Sequence, residues 1–322
     1  MIDLAVIILT FNEEKHVARA ISSVAGLASE IFVIDSGSTD RTANIARALG
    51  ATVLENKFVN YAKQFQWALD HAPIHSGWIM RLDADEILEP ELVAEIAERL
   101  PALPATIVGV NLRRRHVFLG RWIRHGGRYP LILLRIFRRG RGRIENRWMD
   151  EHLIVRGGST IEFRHDFSDA NLNDLSFFTD KHNRYATREA IDVLNRKYGL
   201  DPSTDLLSVE GTSRQASLKR AVKEGIYNRL PLWAGPLLYF LYRYIVRFGF
   251  LDGREGAIYH FLQGFWYRFL VAAKVEEYER ALRGLDSPEA KRKTLEQLTG
   301  HRLESAANLS RQAAPLGSGA LA

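Results

Sequence analysis

The sequence predicts an α/β fold: a mainly parallel sheet with helices on both faces, followed by a helical C-terminal region. Three observations predict it. Short, apolar, β-rich runs alternate with helically spaced segments through the first hundred residues. Polar clusters follow directly after three of those runs, and from about Asn171 helical spacing takes over. Parallel strands buried on both faces read as continuous apolar runs, and strand–helix alternation is how such a sheet is covered.

In order, Leu4–Leu9 is a buried strand, and Glu13–Val24 follows with a helical stripe of Val17, Ala20, Ile21 and Val24. Ile31–Ile34 is a strand, Arg41–Leu49 a helix, Thr52–Leu54 a strand, Tyr61–His71 a helix and Trp78–Leu82 a strand. Pro90 suits the first turn of a helix over Glu91–Leu100, which Pro101 ends. Ile107–Leu112, Leu131–Phe137, Leu153–Val155 and Thr160–Phe163 read as strands, and Asn171–Tyr198 as a helix. A polar linker over Asp201–Gln215 follows. The expected organisation is an α/β domain over 1–165, a helical region over 166–300 and a flexible Ala/Ser/Gly-rich tail over 301–322.

The composition, 46% apolar and 25% charged over 322 residues, is that of a folded globular protein. The absence of cysteine excludes disulfides, thiolate zinc sites and cysteine nucleophiles, and agrees with a reducing compartment. The apolar run Leu4–Leu9 is too short for a signal peptide, so a cytoplasmic protein is expected. The net charge of +6 is unevenly spread: Arg113 to Arg143 holds eleven arginines and no Asp or Glu. Such a stretch calls for anionic company, whether phosphates, an acidic membrane surface or nucleic acid.

Leu230–Phe250 and Ala257–Ala273 are apolar and aromatic but are interrupted by Pro231, Pro236, Arg243, Arg247, His260, Gln263 and Arg268. Neither is a clean spanning segment. They are read as amphipathic helices in an anionic membrane interface, the other reading being a buried hairpin or a homo-oligomer contact.

In parallel α/β sheets ligands bind at the carboxyl ends of the strands. Three polar clusters stand there: Thr10-Phe11-Asn12-Glu13, Asp35-Ser36-Gly37-Ser38-Thr39-Asp40 and Asp83-Ala84-Asp85-Glu86. Carboxylates one residue apart suit a hard divalent ion, Mg²⁺ or Mn²⁺, whose shell phosphate oxygens complete. Such an ion offsets charge on a departing diphosphate. Asp83 and Asp85 could instead cap the helix near Pro90, and Asp40 the helix that follows it. Asp35, ending a buried strand, is placed to hydrogen-bond a base or ribose. The loops lack Gly-x-Gly-x-x-Gly and Gly-x-x-x-x-Gly-Lys-[Ser/Thr], against a dinucleotide enzyme or a P-loop ATPase.

The succession Val6-Ile7-Ile8-Leu9-Thr10-Phe11-Asn12-Glu13-Glu14, Val33-Ile34-Asp35-Ser36-Gly37-Ser38-Thr39-Asp40-Arg41-Thr42 and Leu82-Asp83-Ala84-Asp85-Glu86 resembles the family 2 inverting glycosyltransferases of GT-A fold, over roughly the first 165 residues. The resemblance implies that Thr10, Phe11, Asn12, Glu13 and Asp35 hold uracil and ribose. It implies that Asp83 serves the ribose side and that Asp85 is the more direct metal ligand. Lys63 and Gln64 fall where the family places further donor contacts, and Arg81 and Ala84 are counted with the donor side. The base that takes the acceptor proton is expected at Asp150 or Glu151 of Asp150-Glu151-His152; the order differs from the family's common Glu-Asp and leaves the choice open.

Gly120–Pro130, with Arg135-Ile136-Phe137-Arg138-Arg139, resembles the branch that builds lipopolysaccharide core and other envelope polysaccharides. Arginine forks suit a diphosphate or a phosphorylated glycolipid, so Arg124, Arg128 and Arg135, with His125, are expected to contact acceptor or phosphate. Trp122 and Tyr129 offer flat faces to sugar rings. The implied function is metal-dependent transfer of a hexose from a UDP-sugar to a lipid-linked or core saccharide, on the inner face of the cytoplasmic membrane. A nucleotidyltransferase would need a Gly-rich basic loop after the first strand. A nucleic-acid-binding protein would leave the acidic clusters unexplained, and no nucleic-acid partner is expected.

Overall fold

The structure is a computed structural model that describes residues 1–144, 153–200, 231–301 and 303. Three expectations therefore lie outside the described residues: Asp150 and Glu151 as the base, the 201–215 linker, and the tail from Ser305. The chain forms two compact units. One comprises Met1–Asp174 with Leu241–Phe261; the other is the described part of Leu175–Phe240 and Leu262–Ala322.

The first unit is the sheet. Its first half is β1 (Ile2–Thr10), α1 (Val17–Val24), β2 (Ala28–Asp35), α2 (Thr42–Ala48), β3 (Thr52–Glu55), α3 (Tyr61–His71) and β4 (Trp78–Asp83). Then come β5 (Glu86–Leu88), α4 (Pro90–Arg99), β6 (Ile107–Phe118), β7 (Arg121–Trp122), β8 (Leu131–Arg138), β9 (Gly142–Ile144), β10 (Leu153–Val155) and β11 (Ser159–Ala170). The main sheet runs β3-β2-β1-β4-β8-β6-β11-β5, with β7 on β6, and β9 and β10 form a separate pair.

The expected α/β class is the one observed. Leu4, Ala5, Val6, Ile7 and Ile8 are all fully buried. Because successive strand side chains point to opposite faces, Leu4, Val6 and Ile8 meet Val17, Ala20, Ile21 and Val24 of α1. Ala5 and Ile7 meet Ala62, Phe65 and Ala68 of α3 on the other face. A side chain such as Ile21 or Phe65, taken wholly out of water, contributes about 1.5–3 kcal/mol.

Parallel pairing holds β3, β2, β1 and β4 together, whereas β8 is antiparallel to both β4 and β6. The second half of the sheet is thus mixed. β6 continues past Leu112 to Phe118 and β11 past Phe163 to Ala170, in parallel register with each other. Polar residues such as Arg113–His116 enter the strand because β11 supplies them with partners. The short β5, not anticipated from its three residues, pairs antiparallel with β11.

Two helices start later than periodicity suggests. α1 begins at Val17, because the Glu13 amide is taken by Thr42 Oγ1 at 2.7 Å and its carboxylate by His16 Nδ1 at 2.6 Å. α5 (Leu175–Tyr198) begins after Asn171–Asn173, whose polar groups bond to the sheet's loops.

The second unit is helical. α5 packs on α8 (Tyr267–Leu282) through Ala186, Tyr267 and Val271, with Arg268 and Glu189 3.1 Å apart. α6 (Ala234–Leu241) and α9 (Pro288–Thr299) are further helices of its described part, and the Ser287 hydroxyl caps α9 by accepting from Ala290 N at 3.1 Å. In the first unit, Leu241–Phe261 carries a π-helical turn over Tyr242–Val246, a 3-10 turn over Gly249–Asp252 and α7 (Gly253–Tyr259). Among the described residues no helix is long and apolar enough to cross a membrane.

Candidate active site

Register places the three polar clusters side by side. Thr10, the last residue of β1, pairs with Asp35, the last of β2, and its neighbour Leu9 pairs with Asp83, the last of β4. Three strands therefore end level, and their loops form one rim.

The first two loops are tied together. Asp35, 2% exposed, takes four hydrogen bonds: from Thr10 Oγ1 (2.9 Å), Gly37 N (3.1 Å), Ser38 N (2.7 Å) and Ser38 Oγ (2.6 Å). Ser38 Oγ also accepts from Asn12 N at 2.8 Å, and Asn12 Oδ1 accepts from Thr39 N at 2.8 Å. Asn12 is left-handed at φ 56°, a conformation asparagine tolerates better than most residues. Asp40 accepts from Glu14 N at 3.1 Å and Thr42 N at 2.9 Å. Burial acts to raise its carboxyl, but the bonds from Thr42 and Glu14 prevail and hold it below its usual value. Phe11, 58% exposed, stands on this rim.

Gln64 is buried on α3 and donates to Ser36 Oγ at 3.1 Å and Asn56 O at 3.0 Å, bracing the second loop from behind. Lys63 is exposed one residue earlier, its amide held by the helix cap Asn60 Oδ1 at 2.7 Å.

At the third loop, Asp83 meets Arg81 Nε at 3.2 Å and Arg135 Nη2 at 3.4 Å. Arg135, 5% exposed on β8, also bonds the buried carboxylate of Glu86, which in turn accepts from Asp83 N at 2.9 Å. Burial pushes against ionisation of Asp83, yet Arg81 and Arg135 hold its carboxyl well below the usual range. Glu86 is shifted the other way: burial raises it, Asp83 and Asp169 add to the rise, and Arg135 opposes them. Asp85 accepts from Asn171 Nδ2 at 3.0 Å, and its carbonyl from Ala170 N at 2.9 Å. Neither aspartate caps α4, whose N-cap is Glu89 with no side-chain bond.

Asp83 and Asp85 are both partly exposed on one turn, a donor set that fits a hard divalent ion keeping water and phosphate oxygens. Among the described residues no group of three or more acidic or histidine side chains stands ready to hold a metal by itself.

The arginine-rich stretch finds much of its anionic company inside the chain. Arg113 bonds Glu162 at 2.6 Å, Arg115 bonds Asp166 at 2.7 Å, and Arg114 lies 3.5 Å from Asp169. Arg138 instead donates to the carbonyls of Ile107 and Leu103 at 2.8 and 3.0 Å. The expectation that these residues require an external anion is corrected accordingly. The carboxylates arrive from β5 and β11, far away in sequence.

The expected acceptor residues divide. Trp122 lies under Arg115 and Arg124, their guanidinium carbons 4.7 and 5.3 Å from its ring. Tyr129 stands edge-on to Trp122 at 4.9 Å and donates to Asp166 at 2.9 Å. The amides of Arg124 and His125 donate to Asp252, as does the His125 ring at 2.7 Å. Arg128 lies over Tyr259 at 5.6 Å. Only Arg124 is well exposed among these, and Arg135 faces Asp83 rather than solvent.

Sequence reasoning did not find His16, Asn171, Asp166, Asp169 or Asp252. His16 carried one signal, its i+3 spacing from Glu13; its other ring nitrogen accepts from Leu172 N at 2.9 Å. The others become partners only through long-range folding.

The parallel strands β1, β2 and β4 thus end level and gather hydroxyls, a buried aspartate and a pair of aspartates along one rim. Residues 5–169 match the family described as Glycosyl transferase family 2, and the chain belongs to that family. It is 30% identical over 200 residues to the lipopolysaccharide core biosynthesis glycosyltransferase LpsC of Rhizobium meliloti, covering 58% of this chain and 70% of LpsC. It is 40% identical over 93 residues to the uncharacterized glycosyltransferase RT0209 of Rickettsia typhi, covering 29% of this chain and 31% of that protein. The chain thus spans about a third of the length of the Rickettsia relatives it matches. Among solved structures it is similar to glucosyl-3-phosphoglycerate synthase from Mycobacterium tuberculosis in complex with Mn²⁺, UDP and glucosyl-3-phosphoglycerate. The TM-score there is 0.30 at 24% identity, over 35% of this chain and 43% of that one.

Proposed function

We propose that the protein is a metal-dependent inverting transferase that moves a hexose from a UDP-sugar, with UDP-glucose the favoured donor. The acceptor is a lipid-linked or lipopolysaccharide-core saccharide in envelope polysaccharide synthesis, met at the inner face of the cytoplasmic membrane. The observation that carries this reading is the level ending of β1, β2 and β4, which sets Thr10, Asp35 and Asp83 along one rim. Similarity to LpsC supports the acceptor class.

In this reading the rim from Thr10 to Glu13, with Asp35, Lys63 and Gln64, receives uracil and ribose. Asp35 acts chiefly by shaping the loop, since protein groups already bond its carboxylate. Arg81 and Arg135 keep Asp83 ionised and aimed. Mg²⁺ or Mn²⁺ held by Asp85, with Asp83, would offset the charge gathering on the diphosphate as it departs. Inversion is one displacement: the acceptor oxygen bonds to the anomeric carbon as the carbon–phosphate-oxygen bond breaks, and a carboxylate takes the hydroxyl proton. Asp150 or Glu151 is that carboxylate. Arg124, His125 and Arg128, with Trp122 and Tyr129, form the acceptor side.

Donor hydrolysis measured over a panel of nucleotide-sugars, with and without Mn²⁺, tests the reading. UDP-sugar turnover should need the metal, and Asp85→Ala should lower it at least about a hundredfold while leaving the fold intact. Near-normal turnover in that variant would overturn the mechanism. Asp150→Asn and Glu151→Gln, assayed separately, identify the base.

A further inference from the structure

We propose that the surface presented by Tyr242–Phe261, together with the β6–β7 turn at Leu119, docks on an anionic lipid bilayer. Its apolar side chains enter the interface and its arginines meet the phosphate headgroups.

The segment belongs to the first unit, and its inner side is fixed there. The Asp252 carboxylate, 3% exposed, accepts from the amides of Arg124 and His125 at 3.2 and 2.9 Å. Arg243 Nε donates to Gly126 O at 3.0 Å, and Gly126 N to Arg247 O at 2.9 Å. His260 is fully buried, and a Cβ on Gly126 would stand 2.1 Å from its ring. The outward face is therefore a built surface and not a loose strand of chain.

What it presents outward is apolar. Tyr242, Ile245, Val246, Phe248, Phe250 and Leu251 are each between 46% and 60% exposed. Scattered apolar residues on a surface are ordinary, but a contiguous set marks an interaction site. Two residues add a backbone cost. Phe248 at φ 58° and Leu119 at φ 49° occupy the left-handed region that favours glycine or asparagine, and both hold large apolar side chains outward, 57% and 47% exposed. Burial of these side chains under an apolar cover would offset that cost.

Charge selects the cover. The well-exposed charged side chains on this segment and the adjoining loop are Arg121, Arg124, Arg247 and Arg254. The acidic groups are neutralised: Asp252 is turned inward, and Glu255 lies 3.8 Å from Arg121. A two-fold contact with a second copy would set these arginines against their own kind, whereas anionic headgroups match them. With no helix among the described residues able to span a bilayer, the contact is interfacial. It also gathers the membrane contact into the first unit, the unit of the nucleotide rim. The consequence that a lipid-linked acceptor is met at the membrane by that unit rests on the transfer reading; the docking itself does not.

The test uses the full chain and vesicles of phosphatidylcholine alone or mixed with phosphatidylglycerol, with no donor or acceptor present, so its outcome is independent of sugar transfer. The protein should float with the anionic vesicles only, and salt should release it. Leu119→Asn with Phe248→Asn, both changes suited to the left-handed backbone, should weaken partition about tenfold or more with an unchanged circular dichroism spectrum. Arg247→Gln with Arg254→Gln should remove the preference for anionic lipid. The proposal fails if the wild-type chain ignores anionic vesicles, or if the folded asparagine variant binds as well as wild type. It fails equally if light scattering shows a dimer that this variant dissociates while vesicle binding is unchanged, for then a second copy covers the face.

Discussion

The rim at the ends of β1, β2 and β4 and the arginine-bearing face of β6 and β8 both place charge on a sheet, but they satisfy it by different means. At the rim, Asp35 and Asp40 are held by amides and hydroxyls two to three residues away and by the neighbouring loop. On the other face, Arg113, Arg115 and Arg135 are matched by Glu162, Asp166 and Glu86, carboxylates about fifty residues distant in sequence. The first arrangement is local and survives as long as the turns do. The second exists only when the sheet is assembled, and its energetic weight depends on how deeply each pair is buried.

That contrast can be broken or sharpened by experiment. Arg135→Met should be the most damaging change, since it leaves Glu86 and Asp83 as adjacent carboxylates without their cation. A loss of about 3–5 kcal/mol in urea unfolding is expected for a broken buried pair. Adding Glu86→Gln should recover part of it, and no recovery would show that the two do not act together.

A second expectation concerns acid. His260 is lowered from its ordinary value to about 4, through burial first and then Arg243, with Asp252 opposing. The folded state thus keeps this ring neutral while the unfolded chain protonates it. Stability from this group is full above pH 6.5 and is lost as the pH falls towards 4, by about 3 kcal/mol. The depressed carboxyl of Asp83, held by Arg81 and Arg135, adds a loss further into acid. His260→Leu should flatten the upper part of that profile in melting experiments across this range; an unaltered profile would assign the dependence elsewhere.

Thr10→Val removes one of the four bonds to Asp35 while keeping the shape of the strand end, so about 1 kcal/mol should go in the same unfolding assay. Arg113→Gln should matter least. Its pair with Glu162 is a third exposed on both sides, and a change within about 0–1 kcal/mol, diminished further by salt, is expected. If Arg113 proved as costly as Arg135, burial would not be what separates the pairs.

Much of the rim at the strand ends was legible in the sequence. The strands Leu4–Leu9 and Trp78–Leu82 and the helix Tyr61–His71 follow from apolar runs and periodicity. The rim residues follow because each loop directly succeeds a strand. The arginine-rich stretch was read less well. Eleven cations without a local anion suggested an external partner, yet Glu86, Glu162, Asp166 and Asp169 were the partners of several of them. Strand pairing between β6 and β11 brings those groups together, and no local pattern in either segment announces it.

By itself, then, the sequence determined the α/β alternation, the family resemblance and the polar loops at the strand ends, because these depend on patterns a few residues long. Tertiary structure alone decided that Arg135 serves Asp83 and Glu86 and that Asn171 closes on Asp85. It alone anchored Tyr242–Phe261 to the loop at Gly126. Each of those joins groups more than forty residues apart, and only sheet register and buried packing set such distances.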